Sequence, residues 1–445
     1  MPKGWVSAKL HELISSEGIF CDGDWVESKD QDPNGEIRLI QLADIGDGHF
    51  IDKSYRFLTK SKAKLLKCTY LKKGDVLVAR MPDPLGRAII FPLDDTERYV
   101  TVVDVAIIRF GNDFVLNKYC CYIINALPTR NTIAGMQSGT TRKRIARTKL
   151  ETVAIPLPPF AEQHRIVAKI DALFSRLDKG VETLQNLQQQ LRIYRQAVLK
   201  WAFEGKLANC KNEKWGYVTL GSICKISSGG TPSRSVSKYY SGNIPWIKTG
   251  EIKWNKITNS EEHITAEAME NSSAKYFPVG TILVAMYGQG LTRGRASILG
   301  IRATTNQAVC ALIPTNSIES SFLYYYFQCN YWNLREKAVG GNQLNLNCNL
   351  ISKLGIMLPP KHEQATIVSE IESRLSVCDK LEAIVEENLN KAQALKQSIL
   401  KKAFAGQLVP QDPNDEPAEK LLECIKAGRQ SETVRSKTTR KSKRG

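Results

Sequence analysis

"AIPLPPFAEQHRIVAKIDALFSRLDK", residues 154–179, returns in large part as "GIMLPPKHEQATIVSEIESRLSVCDK", residues 355–380. Aligning Ile155 with Ile356 sets an offset of 201 residues, and the offset holds without a gap. It pairs Leu157 with Leu358, Pro158–Pro159 with Pro359–Pro360, Glu162–Gln163 with Glu363–Gln364, and Asp178–Lys179 with Asp379–Lys380. Further on it still pairs Gln196 with Gln397, Leu199–Lys200 with Leu400–Lys401, Ala202–Phe203 with Ala403–Phe404, and Gly205 with Gly406. Loops drift in length and a rigid rod does not, so the repeat predicts a duplicated element of constrained length.

Its periodicity is helical. In the first copy apolar or aromatic residues stand at Ile166, Ile170, Leu173, Leu177, Val181, Leu184, Leu187, Leu191, Tyr194 and Val198, in steps of three or four. The second copy has Ile367, Ile371, Leu375, Cys378, Leu381, Val385, Leu389, Ala392, Leu395 and Ile399. Proline is tolerated only in a helix's first turn, so the two Pro–Pro pairs mark starts. Gly205 and Gly406 sit where a stop belongs. Each helix has roughly 40 residues, about 60 Å at 1.5 Å per residue. A lone helix with one apolar stripe is unstable in water, so the two copies are expected to pack together. Periodicity leaves their relative direction open. Glu162–Gln163 and Glu363–Gln364 read as first-turn acids and their neighbours, favoured by the helix dipole.

Two blocks of similar size and unlike sequence precede the helices. "LKKGDVLVAR" (71–80) parallels "FPVGTILVAM" (277–286), "IRLIQLADI" (37–45) parallels "IPWIKTGEI" (244–252), and "LGRAIIF" (85–91) parallels "RGRASIL" (293–299). Short strand patterns mixed with helical patches at 117–125 and 321–335 predict a compact α/β fold for each block. The expected plan is a block over 1–154, a helix over 155–208, a second block over 209–355, a second helix over 356–408 and a tail over 409–445. A shared frame carrying different heads suggests two ligands of one kind that differ in detail.

The 445 residues exceed what one hydrophobic core organises. Lys and Arg number 62 against 45 Asp and Glu, a formal net charge of +17 that favours polyanions, nucleic acid first. Part of that charge lies in the polar, basic stretch from Ala427, for which composition predicts disorder. Eleven scattered cysteines, without a C-x-x-C and behind an opening "MPKGWVSAKL" unlike a signal peptide, read as reduced thiols of a cytoplasmic protein. No apolar run approaches membrane-spanning length.

The doubled L-P-P-x-x-E-Q-x-x-I-V motif, the long helix after each copy, the A-F-x-G-x-L endings and "GQLVPQDPNDEPAEKLLECIKA" (406–427) resemble the specificity subunits of type I restriction–modification systems. The resemblance covers essentially the whole chain. It implies α/β plus long helices: two α/β target recognition domains joined by two long antiparallel, coiled-coil-like helices with pseudo-two-fold symmetry. It implies recognition of a bipartite, asymmetric DNA site, one half per domain, with helix length fixing the gap. It implies two modification (methyltransferase) subunits carrying S-adenosylmethionine and two restriction subunits carrying ATP- and Mg2+-dependent translocation and cleavage. In that family this subunit performs no chemistry.

The residues agree. An amino-methyltransferase needs a (D/N)-P-P-(Y/F) pocket, but here the strings are Leu157–Phe160 and Leu358–Lys361, both at helix entries. No G-x-x-x-x-G-K-[ST] loop occurs, and the five histidines show no metal-ligand spacing. Bases are read by Arg, Lys, Asn, Gln, Ser and Thr on exposed loops, and phosphates by Lys and Arg. The candidates in the first block are Arg80 and Arg87, flanking "MPDPLG", and Thr140, Thr141, Arg142, Lys143 and Arg144. In the second they are Ser228, Lys248, Thr249, Tyr287, Gln289, Arg293, Arg295, Asn342 and Gln343. The rival readings are a methyltransferase or nuclease with an unrecognised site, and a coiled-coil scaffold that binds only proteins.

Overall fold

The computed structural model describes residues 1–445 except 82–83, 95–96, 141, 208–214, 289, 339–344 and 443–445. The chain forms two compact units, Met1–Thr183 with Asn388–Gly445, and Leu184–Glu387.

The strands of the first unit are β1 (Val6–Lys9), β2 (Ile19–Asp22), β3 (Ile37–Ile40), β4 (Phe57–Leu58), β5 (Val76–Ala79), β6 (Ala88–Ile90), β7 (Tyr99–Thr101), β8 (Val105–Arg109) and β9 (Ala154–Leu157). They form a sheet of order β2-β8-β5-β6, a sheet of order β4-β3-β7 and a ribbon β1-β9. The helices are α1 (Lys60–Leu65), α2 (Asn117–Asn125), α3 (Leu127–Gly135), α4 (Arg147–Leu150) and the long α5 (Phe160–Phe203). β5 reads VLVA and is buried at every position. Its side chains alternate between two cores, as a strand period of two demands. Val76 and Val78 pack with Tyr119 and Cys120 of α2, while Leu77 and Ala79 pack with Ile40, Phe91 and Ile107.

The second unit repeats this plan with β10 (Gly216–Thr219), β11 (Cys224–Ser228), β12 (Ile244–Ile247), β13 (Lys256–Ile257), β14 (Glu262–Ile264), β15 (Ile282–Ala285), β16 (Ala296–Leu299), β17 (Thr304–Thr305), β18 (Val309–Pro314) and β19 (Gly355–Leu358). Its sheets run β11-β18-β15-β16-β13, β14-β12-β17 and β10-β19. Its helices are α6 (Leu220–Ile223), α7 (Ala266–Glu270), α8 (Ser320–Cys329), α9 (Tyr331–Glu336), α10 (Cys348–Ser352) and the long α11 (Lys361–Phe404). Strand for strand the two heads match, with β13 extra. The three faint sequence parallels are β5 with β15, β3 with β12, and β6 with β16. Where β2 and β11 end, Gly23 and Gly229 hold the same tight contact: a Cβ there would stand 2.2 Å from Val102 O and 2.1 Å from Thr305 O.

The offset of 201 reaches back before the helices. Ile145 N donates to Arg80 O at 3.1 Å, and Leu346 N donates to Met286 O at 3.0 Å. The helices themselves begin one residue after each Pro–Pro pair and end in the same stop. Gly205 and Gly406 both have φ 70, and Lys206 N and Gln407 N each reach back to the carbonyl five residues earlier, at 2.8 Å.

Each long helix buries its ends in a head and leaves its middle half-exposed. In the first unit Ile166 and Ile170 of α5 join Ile399, Leu400 and Ala403 of α11 in one core. In the second, Val198, Leu199 and Ala202 of α5 join Ile367, Val368 and Ile371 of α11. Ion pairs show that the helices run antiparallel within each unit. Lys396 Nζ lies 2.5 Å from Asp178 Oδ1. Arg195 meets Asp379 and, at 3.0 Å, Glu382. Asp178 and Asp379, and likewise Arg195 and Lys396, stand 201 apart, so one ion pair is built twice. Tyr194 and Leu395, also 201 apart and assigned to the apolar stripe by periodicity, instead face solvent.

Glu162 and Glu363 stand in the first turns of α5 and α11, as the dipole reading expects, and the Glu–Gln pairs also make contacts that it did not foresee. Glu162, Gln163 and Gln364 are buried, and buried polar groups must find partners. Trp5 Nε1 donates to Glu162 at 2.9 Å and Trp215 Nε1 to Glu363 at 3.0 Å. Gln163 accepts from Leu116 N and donates to Phe114 O and Pro158 O. Gln364 accepts from Glu319 N and donates to Ser317 O and Pro359 O. These pairs fasten each head to its helix.

After α11, Asp415 pairs with Arg165 at 2.5 Å. Helix α12 (Ala418–Ser442) then buries Leu421, Leu422 and Ile425 in the first unit's core, and Ala418 N donates to Gly4 O at 2.9 Å. Where composition predicts disorder from Ala427, the backbone stays helical to Ser442. Among the described residues no helix is long and apolar enough to cross a membrane.

Candidate nucleic-acid interface

In the first unit an exposed hairpin carries most of the candidates. Ser138 and Arg144 bridge through a pair of backbone hydrogen bonds of 2.8 and 2.9 Å, with Gly139 at φ 104. Pinning its base pushes Thr140, Arg142 and Lys143 into solvent, and the Arg144 side chain is exposed as well. Thr141 lies outside the described residues. The hairpin is a ridge between two clefts. One, of about 650 Å3, runs past Arg130, Asn131 and Gln137 to Gln393 and Gln397 of α11. The other, of about 620 Å3, lies between the hairpin and Asp24, Trp25, Val103 and Asp104.

Arg80 departs from the expectation of an exposed reader. It is buried, donates to Val103 O and to Ile145 O, and pairs with Asp22 at 3.2 Å. The reason is its place at the end of the fully buried β5, where burial holds its pKa below the usual arginine value. It anchors the segment that follows the hairpin. Arg87 is half-buried, one residue after Gly86 in the β5–β6 turn, and its Nε has no hydrogen-bond partner among the described residues. Arg130 stands beside it, its own pKa lowered by burial, with Asp47 opposing that shift and Arg87 adding to it.

The second unit repeats the turn. Gly294 N and Arg295 O bond to Ala285 as Gly86 N and Arg87 O bond to Ala79, at 2.8–3.0 Å. Arg295 is half-buried with the same unpartnered Nε, and Arg335 takes the position of Arg130, packed over Gly294. Arg335 donates to Arg293 O and Gly290 O, which fixes the loop that carries Tyr287, exposed, and Arg293, half-buried. Ser228 ends β11. Lys248 is held by Glu261 and Glu262 at 3.2 and 2.8 Å, so its charge is matched within the chain. Thr249 opens the short helical turn after β12. Gln289, Asn342 and Gln343 lie outside the described residues. Among the described residues no group of three His, Cys, Asp or Glu is placed to hold a metal ion.

Trp25, 69% exposed, together with Asp24 and Asp104, escaped the reading of the sequence. They come from separate strand ends with no shared motif. Strand alignment offered a signal: Asp104 falls opposite Ala308, just before β8 and β18.

A family model described as the type I restriction modification DNA specificity domain matches residues 2–190 and, again, 212–391. The chain belongs to this family. The specificity subunit of the type I restriction enzyme StySPI from Salmonella potsdam is 27% identical over 338 residues, which is 71% of this chain and 72% of that protein. A chain from a structure on complex assembly and conformational transition of the type I R-M system superposes with a TM-score of 0.73 at 21% identity, covering 92% of this chain and 99% of that one. The HsdS subunit from Thermoanaerobacter tengcongensis does so at 0.54 and 20% identity, over 92% and 98%. These two share the fold: α/β heads with long helices that pack together. As a specificity subunit, the chain determines the DNA target within its complex and assembles with the other subunits, on which the cofactors reside. Specificity subunits are themselves noncatalytic.

Proposed function

We propose that this specificity subunit reads a bipartite, asymmetric DNA target in the cytoplasm, one half through residues 1–154 and the other through 209–355. One observation carries this reading: the two heads share a strand-for-strand frame and differ in the side chains at the ends of matching strands. Asp22, Asp24, Arg80 and Asp104 of the first head correspond, through equivalent backbone hydrogen bonds, to Ser228, Gly230, Met286 and Ala308 of the second. Arg142, Lys143 and Arg144 on the exposed hairpin, with Arg87 and Arg295 at the equivalent turns, are the proposed DNA contacts. The net charge of +17 favours the same ligand.

The long helices (155–208 and 356–408) hold two modification subunits, which bring S-adenosylmethionine, and the assembly recruits two restriction subunits that bring ATP and Mg2+ chemistry. In the second unit Ile193, Tyr194, Val377, Leu381 and Ile384 are exposed along α5 and α11, apolar side chains of the kind that a docked subunit would cover.

The test is an exchange of residues 209–355 for the corresponding block of a relative, with methylated bases mapped afterwards. One half of the target should change and the other stay. A target unaltered by the exchange overturns the reading. Methylation or cleavage by the isolated chain favours an enzyme instead, and DNA affinity indifferent to salt favours a protein scaffold.

A further inference from the structure

We infer that the cleft between Trp25 and the 138–144 hairpin is a base-reading site of the first head, that Asp104 selects a cytosine there, and that Trp25 forms its apolar wall. This rests on the DNA-reading role proposed above and names the chemistry of one of its sites.

The inference starts from what the four acids in and beside the cleft already do, of which Glu27 pairs with Lys29 at 2.7 Å and accepts from the Trp25 indole. Asp22 is held by Arg80 at 3.2 Å and Arg147 at 3.8 Å. Asp24 accepts from Thr69 N at 3.0 and 3.2 Å. Asp104 is half-buried, and among the described residues its carboxylate takes part in no hydrogen bond or ion pair. Its backbone carbonyl performs the structural task, accepting from Arg80 N at 2.8 Å. Ala308 performs the same task in the second head, accepting from Met286 N at 2.9 Å without an acidic side chain. Apart from its charge acting on the buried Arg80, the carboxylate of Asp104 has no structural task that the second head repeats.

A carboxylate facing a polyanion is repelled unless it meets a donor. On the opposite wall stand Thr140, Arg142 and Arg144, which suit phosphates and base acceptors. The donors that bases offer in the major groove are the amino groups of cytosine and adenine. Adenine sets the N7 acceptor beside its amino group, which repels a carboxylate and suits an amide. Cytosine sets only a C–H there, so a carboxylate favours cytosine. Trp25 is 69% exposed, and among the described residues its indole N–H reaches only Glu27, at 3.3 Å. Its ring is available to cover the apolar edge of that pyrimidine or the neighbouring sugar. The second head, with Gly230, Thr231 and Ala308 at the matching positions, makes no such contact.

The experiment uses the full chain assembled with its modification subunits. The target is first mapped from methylated bases, then every single base-pair substitution of it competes for binding. With Asp104→Asn, discrimination should fall by about tenfold or more at one C·G pair in one half of the target, with adenine gaining most. Other positions should move by less than about twofold. Unchanged discrimination everywhere, or equal weakening on all sequences, overturns the inference and leaves the DNA-reading role standing. A parent complex that selects no sequence overturns that role, and the inference with it. Should Asp104→Asn fail to fold, Trp25→Ala decides by the same panel: lost discrimination at a C·G pair or its neighbour supports the site, and no change refutes it.

Discussion

At Asp24 two effects oppose each other. Burial pushes its carboxyl up to about 6, and the Thr69 backbone N–H pulls it down without prevailing. The folded chain therefore keeps this proton to about pH 6, whereas the unfolded chain releases it near 3.8. Between those values the folded state binds more protons, so stability falls as pH rises, and the cost is complete above about 6. Asp24→Asn keeps an acceptor for Thr69 and loses the charge. Its thermal midpoint should gain on the parent as pH rises through 4 to 6 and hold a constant margin above that, as melts across the pH series will show. On the hairpin, Arg142 and Lys143 are exposed and make no ion pair among the described residues. If both neutralise phosphates, replacing both with Ala lowers the slope of log affinity against log salt by nearly 2, since each contact accounts for about 0.9. A salt titration of the assembled complex measures it.

In the paired helices, magnitudes decide which contacts matter. The ion pairs of Arg195 and Lys396 are partly solvated, and such pairs contribute about 0.2–1 kcal/mol. Ile371 is fully buried in the second unit's core, where truncation to Ala costs about 2–5 kcal/mol. Denaturant unfolding should thus find Ile371→Ala well below the parent, and a double-mutant cycle on Arg195 and Glu382 should find a coupling under about 1 kcal/mol. Both helices, their starts, their stops and their partnership were legible in sequence because each follows from a local rule of spacing, proline or glycine. Trp5 and Glu162, 157 residues apart, were not, because nothing local announces that an indole will reach a first-turn carboxylate. Tyr194 fits the helical stripe as well as Val198 does, yet one is exposed and the other buried. Period alone fixes a face and leaves unspecified how far along the rod a head covers it. Arg80, expected on an exposed loop, is buried for the related reason that the residue following a strand belongs to the surface or the core according to what packs over it. The cleft at Asp104 was hidden because it draws on three strand ends at once.

Across the whole chain, the first unit is assembled from two distant segments and the second from one. Helix α12 supplies Leu421, Leu422 and Ile425 to a core that begins at Trp5. Deleting residues 410–445 should speed hydrogen exchange in β1 and around Leu10–Ile14 and leave residues 216–358 protected as before. Equal loss in both units would show that α12 matters to more than its own core. The chain's order also bears on how the molecule is made. A ribosome delivers residues 184–387 as one continuous piece, free to fold as they emerge, while the head begun first must wait for residues 388–445 to be translated. The head whose strands come first in the sequence is thus the later of the two to close its core, since that core stays open until residues 388–445 have been added.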